Sequence, residues 1–567
     1  GTRKTTVNCS SGESITTALQ NYNYIVISGV CTENISLDAT TFTHRLVILE
    51  GSSSSSDGIT AKDTSEPVIK ICCGAITLKA SKLKLTGGKH GIDAFVGPNI
   101  ILENLLVENN TSTGIKIRAS VGVVIDSTIQ NNGSHAIQVD YSGAAGIEGN
   151  TISGHTSNQS IKITRGASAD IFKNTITNGE HAGISVDRGS FAQIGKDPDS
   201  GVSRGNTIQS ADNGISVEDS SHAILKYNTL QSNSKNGLKI ENNASVVLAE
   251  GNTFTNNTEH GIDLWLGGSL NMWCDSQLTA ATTISSNTEG AIQVGGDSKA
   301  KLCNLSLSSP KNGIQAGMGA YLSISNITIT SSQDDGISLW GAKGQIDNIT
   351  ITGSTNAGIR VNNGMLSIKN STISGSTNGG IESHQQSAIH LGGGVIIENN
   401  AFGIGLTNST LFQYDNESTS YIRNNTNNEI YATMSSIGLN QVTVGGTSGN
   451  TEINLSSASF PFFVRFLDFV NGKITIGQIG QVTIRLPSGN SGVRFGQQFI
   501  PDGDDLDTIP PYEIMDIETH SQVGTLGSWY GFRYEDTRIA TSLSNRGCRA
   551  ACTFCNVRSF NGKGVRQ

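Results

Sequence analysis

A four-residue pattern recurs along most of the chain: a small residue, Ile, a variable residue and an aliphatic one. Its first eight occurrences read GIDA, GIKI, AIQV, SIKI, GISV, GISV, GLKI and GIDL. The second position falls at Ile92, Ile115, Ile137, Ile161, Ile184, Ile215, Leu238, Ile262, Ile292, Ile314, Ile337, Ile359, Ile381 and Ile404. Successive steps are 22 to 24 residues, apart from one of 31 and one of 30. A second apolar segment keeps the same register, as STIQ (127–130), NTIS (150–153), NTIT (174–177), NTIQ (206–209), NTLQ (228–231) and NTFT (252–255). Both segments alternate with a period of two, which predicts short strands and no amphipathic helix. The unit is too short for a paired-helix repeat and lacks the leucine-rich pattern.

Short strands that each pair with their equivalent one turn later form a parallel β-helix, with coils about 4.8 Å apart and aliphatic columns pointing inward. Asn stands just before the second segment at Asn150, Asn174, Asn206, Asn228 and Asn252. Stacked Asn side chains are expected to hydrogen-bond turn backbone that would otherwise be buried unpaired. The many N-x-S/T triplets are therefore turn chemistry first and glycosylation acceptors second.

On these repeats, roughly over 20–410, the chain resembles the right-handed parallel β-helix proteins of the pectate-lyase-like superfamily. The opening VNCSSGESITTALQNYNYIVISGVCTENI is similar to the start of such domains, a short amphipathic cap ahead of the first coil. The resemblance implies an all-β, right-handed solenoid: a cap at 1–35, the β-helix at 36–410 and a β-rich closing region at 411–500. It is specific for fold and weak for activity, because one fold carries many functions. The Arg, Lys and calcium-binding Asp set of pectate lyases does not map onto this chain residue by residue.

Outward positions define the candidate site. The residue after each tetrad forms a column that includes Arg118, Asp140, Asp187, Glu218, Glu241, Trp265 and Trp340. The third tetrad position forms a neighbouring column with Asp93, Lys116, Lys162, Lys239 and Asp263. Asp187, Glu218 and Glu241 fall on three successive coils, a stack that raises one pKa or invites a cation such as Ca2+. Paired carboxyls a few ångströms apart also suit glycosidic acid/base work, which makes these three the catalytic candidates. Trp265 and Trp340 offer flat apolar faces for sugars, with Arg118 and Asp140 as further substrate contacts. The 31-residue step contributes RGSFAQIGKDPDSGVSRG (188–205), expected as a loop beside this stripe. The plainer reading is a solvated sheet face in which Lys and acid residues balance one another. His90, His135 and His260 precede their tetrads but are too far apart along the stack for one metal, so they are read as turn residues.

Net charge is −9 with no basic run, which excludes a nucleic-acid surface. The most apolar stretch, FPFFVRFLDFV (460–470), is too short to span a bilayer and carries Arg465 and Asp468. Cys9, Cys31, Cys72, Cys73, Cys274 and Cys303 have no metal-like spacing. Cys9 and Cys31 are either a disulfide stapling the cap, as suits an extracellular or cell-surface protein, or buried thiols.

Past residue 500 the repeat is lost. DLDTIP (505–510) and, further on, NRGCRAACTFCN set Cys548, Cys552 and Cys555 in a C-x3-C-x2-C spacing. This segment, 501–567, resembles the start of a radical SAM enzyme of the cobalamin-associated group. That resemblance implies three thiolates on three irons of a 4Fe-4S cluster, with S-adenosylmethionine on the fourth iron and a cytoplasmic setting. Such enzymes wrap a partial barrel around the cluster, and none is visible here. The segment is therefore read as a truncated radical SAM stub joined to the solenoid, with no radical chemistry expected of it alone. Three functions remain: a polysaccharide-binding and polysaccharide-processing face, a structural or adhesive stalk, and a radical SAM fragment.

Overall fold

The computed structural model describes residues 2–476, apart from residue 156 and the stretches 275–279, 309–310, 414–417, 440–441, 446–450, 457–462, 465–466 and 470–473. Cys548, Cys552 and Cys555, with all of 501–567, lie outside the described residues.

Most coils carry three strands where the sequence pattern marks two; in others the second and third run on as one, as in Lys299–Ser308, Tyr321–Thr330 and Lys343–Thr352. One coil consists of Ile115–Arg118, Val121–Ile125 and Thr128–Gln130; the next consists of Ile137–Asp140, Ala144–Glu148 and Thr151–His155. The strands of the coils pair in parallel with their counterparts one coil on, for example Ile115 with Ile137, Val121 with Ala144 and Thr128 with Thr151. The tetrad strands alone form a ladder of nineteen. The middle strand escapes sequence reading because its inward positions are often small, as at Gly122, Ala145, Ala169, Ala192 and Ala223. They face bulky tetrad side chains across a narrow interior: a Cβ on Gly122 would lie 2.5 Å from Ile117 Cδ1.

Paired strands satisfy the backbone, and alternation places Ile, Val and Leu inside. Ile115, Ile117, Ile137 and Val139 are fully buried, and the core is one continuous cluster from Val7 to Val444. Buried asparagines hold the corners. Asn174 Oδ1 accepts from the Asn150 backbone N–H at 2.9 Å and its side-chain amide at 3.0 Å, and the pattern repeats through Asn206, Asn228 and Asn252. A second ladder at another corner links Asn233, Asn257 and Asn287 in the same way. The expected Asn stack is present, and it is doubled.

The cap is integral to the first coil. Lys4–Asn8 pairs with Tyr24–Ser28, while the short helix Ile15–Ala18, N-capped by Ser14, sets Ile15 and Leu19 in the core. Cys9 and Cys31 are disulfide-bonded, as are Cys274 and Cys303 and the adjacent Cys72 and Cys73. Beyond 410, in the stretch read as a β-rich closing region, the ladder runs on through Asn428–Thr433, Thr451–Ser456 and Ile474–Ile476. Among the described residues no helix is long and apolar enough to cross a membrane.

The 31-residue step does not place a loop beside the acidic stripe. Phe191–Ile194 is a middle strand, paired with Ser168–Phe172 and His222–Leu225. The extra residues form a hairpin, Lys196–Asp199 against Val202–Arg204, at the corner between the middle and third strands. The apolar alternation of FAQI claimed a place in the sheet, and the insertion begins only after Ile194.

Candidate functional site

The outward columns of the tetrad ladder change character along the stack. From Asp93 to Glu241 charge is closed locally. The Arg118 guanidinium grips both oxygens of Asp93 at 2.7 and 2.8 Å and lies over the Phe95 ring. Arg165 binds Asp140 at 2.7 Å and covers Tyr141. Arg118 and Asp140, expected together as substrate contacts, therefore belong to two separate ion pairs.

The three stacked acids do not converge. Asp187 turns to Lys162 at 3.1 Å, Glu218 accepts from the Ser216 hydroxyl, and Glu241 binds Lys239 at 2.9 Å. A parallel ladder sets the two outward columns side by side, so a lysine or hydroxyl of one column reaches an acid of the other. That contact is better than carboxylate facing carboxylate. A Ca2+ ion here would have to displace Lys162 or Lys239. Among the described residues, the set of three His, Cys, Asp or Glu ligand atoms drawn within 4.8 Å of one another is Asp38, Cys72 and Cys73, and its two sulfurs are bonded to each other.

Asp263, in the neighbouring column, is different. It is 7% exposed, and its Oδ1 has no hydrogen-bond partner. Burial pushes its carboxyl up to about 7, against the opposing pull of Lys239. Its register partner Lys239 is committed to Glu241. The sequence signal was the K-I-E of one coil placed under the I-D of the next: one lysine, two acids.

The following coils are open and aromatic. Trp265, Gly295, Gly317 and Trp340 succeed one another in the column that earlier carried the acids. Three coil steps, about 14 Å of stack, separate the backbones of Trp265 and Trp340, and a groove of about 490 Å³ is lined by both. Gln293, Gln315 and Ser338 form its floor, with Asn312, Met318 and Asn356 on its rim. Trp340 is 57% exposed, and its indole N–H donates to Ser338 Oγ at 2.8 Å, which orients the ring.

The two glycines do different things. A Cβ on Gly295 would lie 2.9 Å from Trp265 Cζ3, so this glycine lets the indole lie down against the sheet. A Cβ on Gly317 would meet only the Trp340 carbonyl oxygen at 3.4 Å and Trp340 Cβ at 3.8 Å, and the backbone there is not left-handed. Neither packing nor conformation demands glycine at 317. Its missing side chain keeps the groove open.

A second hollow of about 530 Å³ lies on the other side of Trp340, bounded by Arg360, Asn362, His384 and Met434. Arg360 runs beneath both, bonded to buried Asp335 at 2.9 Å and to Glu382 at 3.1 Å. Burial raises the Asp335 carboxyl, and the Arg360 guanidinium pulls it back. The corner that follows the aromatic column carries Leu266 (φ 49°), Met318 (φ 50°) and Met434 (φ 47°), all exposed. Corresponding corners elsewhere carry Val96, Tyr141, Asn242 and Asn363, also left-handed, so this backbone conformation is a property of the corner and not of the groove.

His90, His135 and His260 are buried at the corners leading into their strands, and burial lowers each to about 4. His90 Nδ1 accepts from the Thr113 N–H at 3.2 Å, and His135 Nδ1 bonds the Gln159 carbonyl oxygen at 2.9 Å. They serve the corners, as expected.

A protein-family model described as the right handed beta helix region matches residues 58–198, 199–288 and 290–453, and the chain belongs to that family. No curated protein matches it. Among solved structures it is similar to the periplasmic alginate epimerase AlgG, at 11% identity over 69% of this chain and 77% of that one, with a TM-score of 0.28. It is also similar to the PL6 family alginate lyase AlyGC, at 8% identity over 85% and 100% and a TM-score of 0.25. The N-terminal fragment of bacteriophage Phi29 gene product 12 matches at 12% identity over 87% and 94%, with a TM-score of 0.29.

Proposed function

We propose that this protein is an exported β-helix that binds polysaccharide in the groove between Trp265 and Trp340. The Trp–Gly–Gly–Trp column carries the reading: two indoles, Trp265 lying on the sheet and Trp340 exposed, a space kept clear by Gly317, and amide and hydroxyl groups beneath. Indole faces stack on the C–H faces of sugar rings, and convergent polar groups select orientation. Three disulfides support an oxidising compartment and hence export. Retention on a glycan array tests the proposal. The native protein is retained, the W265A/W340A double variant is not, and equal retention of both would remove the groove from the reading.

A second reading, processing of the bound glycan, rests on Asp263 more than on Asp187, Glu218 and Glu241. A buried carboxyl held near neutrality is suited to proton donation, and it lies one coil from the Glu241 carboxylate and two residues before Trp265. Reducing ends released by the native protein, and lost in D263N without loss of binding, would support it. A 4Fe-4S cluster on Cys548, Cys552 and Cys555, with S-adenosylmethionine on the fourth iron, rests on their spacing alone. Iron and sulfide analysis of anaerobically reconstituted protein tests it.

A further inference from the structure

We infer that the ligand of the Trp265–Trp340 groove is an uncharged polysaccharide, recognised by stacking and hydroxyl hydrogen bonds and not by ion pairing. The inference rests on the reading of the groove as a glycan site and goes on to name the glycan's chemistry.

The charges around the groove are already spent on one another. Lys311 is bonded to Glu289 at 2.5 Å. Arg360 is held from both sides, by Asp335 and by Glu382. Asp334 accepts from the Asn356 side-chain amide at 2.9 Å. Two cations thus stand against four carboxylates (Glu289, Asp334, Asp335 and Glu382), and each cation already holds a carboxylate. A uronate carboxylate entering here would meet surplus negative charge. To gain a partner it would have to pull Arg360 away from a buried acid, which leaves that acid uncompensated.

The floor is fitted to hydroxyls instead. Gln293 and Gln315 lie side by side in register on adjacent coils. Among the described residues neither side chain makes a hydrogen bond, although every asparagine of the two corner ladders is fully engaged. A carboxamide presents a donor and an acceptor together, which matches a sugar hydroxyl acting as both. The Ser338 hydroxyl, oriented by the Trp340 indole, adds a third such group. With the Trp265 and Trp340 indoles and the Met318 side chain, the groove has apolar faces and neutral polar groups, and its ions are neutralised.

The test is retention of the full chain on immobilised uncharged polymers (glucans, mannan, xylan) and on uronate polymers (alginate, polygalacturonate), in salt from about 50 mM to about 500 mM. The expected result is retention on at least one uncharged polymer, with an affinity that changes less than about twofold across that range. G317L, which fills the groove at a position without packing or backbone constraint, should abolish retention while leaving the melting temperature unchanged. Q293A/Q315A should weaken it by roughly tenfold, as expected for two lost hydrogen bonds. Retention on uronates alone, falling tenfold or more as salt rises, overturns the inference and leaves the glycan reading standing. No retention on any polymer, or retention that survives both G317L and Q293A/Q315A, removes the groove as a glycan site and this inference with it.

Discussion

The tetrad ladder is one structure with two outer faces. Between Asp93 and Glu241 its outward carboxylates are each bonded to a neighbouring Arg, Lys or Ser. Between Trp265 and Trp340 the outward side chains are aromatic or absent, with unengaged amides beneath. The interior does not change: Ile137 and Val139 in one region and Ile337 and Leu339 in the other are equally buried. The fold therefore puts no demand on what the outside carries. Where outward residues neutralise each other, the face is finished; where they leave a hollow and unspent hydrogen-bonding groups, it is available to a ligand.

The largest effect should come from attacking what the two regions share. Asn206 sits between Asn174 and Asn228 and serves both neighbouring coils. Asn206→Leu leaves buried amide groups without partners and is expected to cost about 3–5 kcal/mol. Hydrogen exchange should show it as lost protection centred on that coil, and uniform protection would contradict the role given to the ladder.

Next in size is the contrast itself. W265A/W340A should lower glycan affinity about a hundredfold, roughly 3 kcal/mol, whereas R118A/R165A in the charge-paired region should leave it within about twofold. Comparable losses in the two variants would erase the distinction between the faces.

Asp263, at the border of the two regions, makes stability depend on pH. Its folded-state carboxyl is raised to about 7 from 3.8, so as pH climbs through that window the unfolded chain gives up the proton first. Native stability declines from about pH 4 to about pH 7 and is level above. D263N removes this decline, and at pH 8 the variant should exceed the native protein by on the order of 2 kcal/mol. Equal melting curves at pH 8 would show the burial to be harmless.

The corner histidines act in the opposite direction. Each is lowered to about 4 from 6.5, so their contribution is complete above pH 6.5 and is lost as pH falls towards 4. Acidification over that window should cost ~1–2 kcal/mol for each, and H135N should flatten part of the slope on thermal denaturation. The smallest effect belongs to the half-exposed ion pairs: R118A alone should change stability by less than about 1 kcal/mol.

Much of this architecture was legible in the primary structure because a solenoid repeats its constraints. Ile115, Ile137 and Ile161 recur at one spacing since each must fill the same place in the core, and Asn150, Asn174 and Asn206 recur since each closes the same corner. The middle strand was not legible, because Ala145 and Ala169 carry little hydrophobic signal where Ile side chains from the opposite wall already occupy the space. The site was half legible. Trp265, Gly295, Gly317 and Trp340 could all be placed in one outward column, but the hollow over the glycines could not be read, because it depends on where the Trp265 indole lies. Asp187, Glu218 and Glu241 looked like a convergent acid stack because sequence shows which coil a residue is on and not which neighbour its side chain selects.

By itself the sequence determined the coil, its period, its inward columns and the stacked asparagines, all of which arise from local alternation and exact repetition. Tertiary structure alone decided which charges cancel, which buried carboxyl is left without a cation, and where the outer surface is left open. Those outcomes depend on the choice between contacts within a strand and contacts to the next coil, some 22 to 31 positions away, where a lysine has two acids in reach and binds only one.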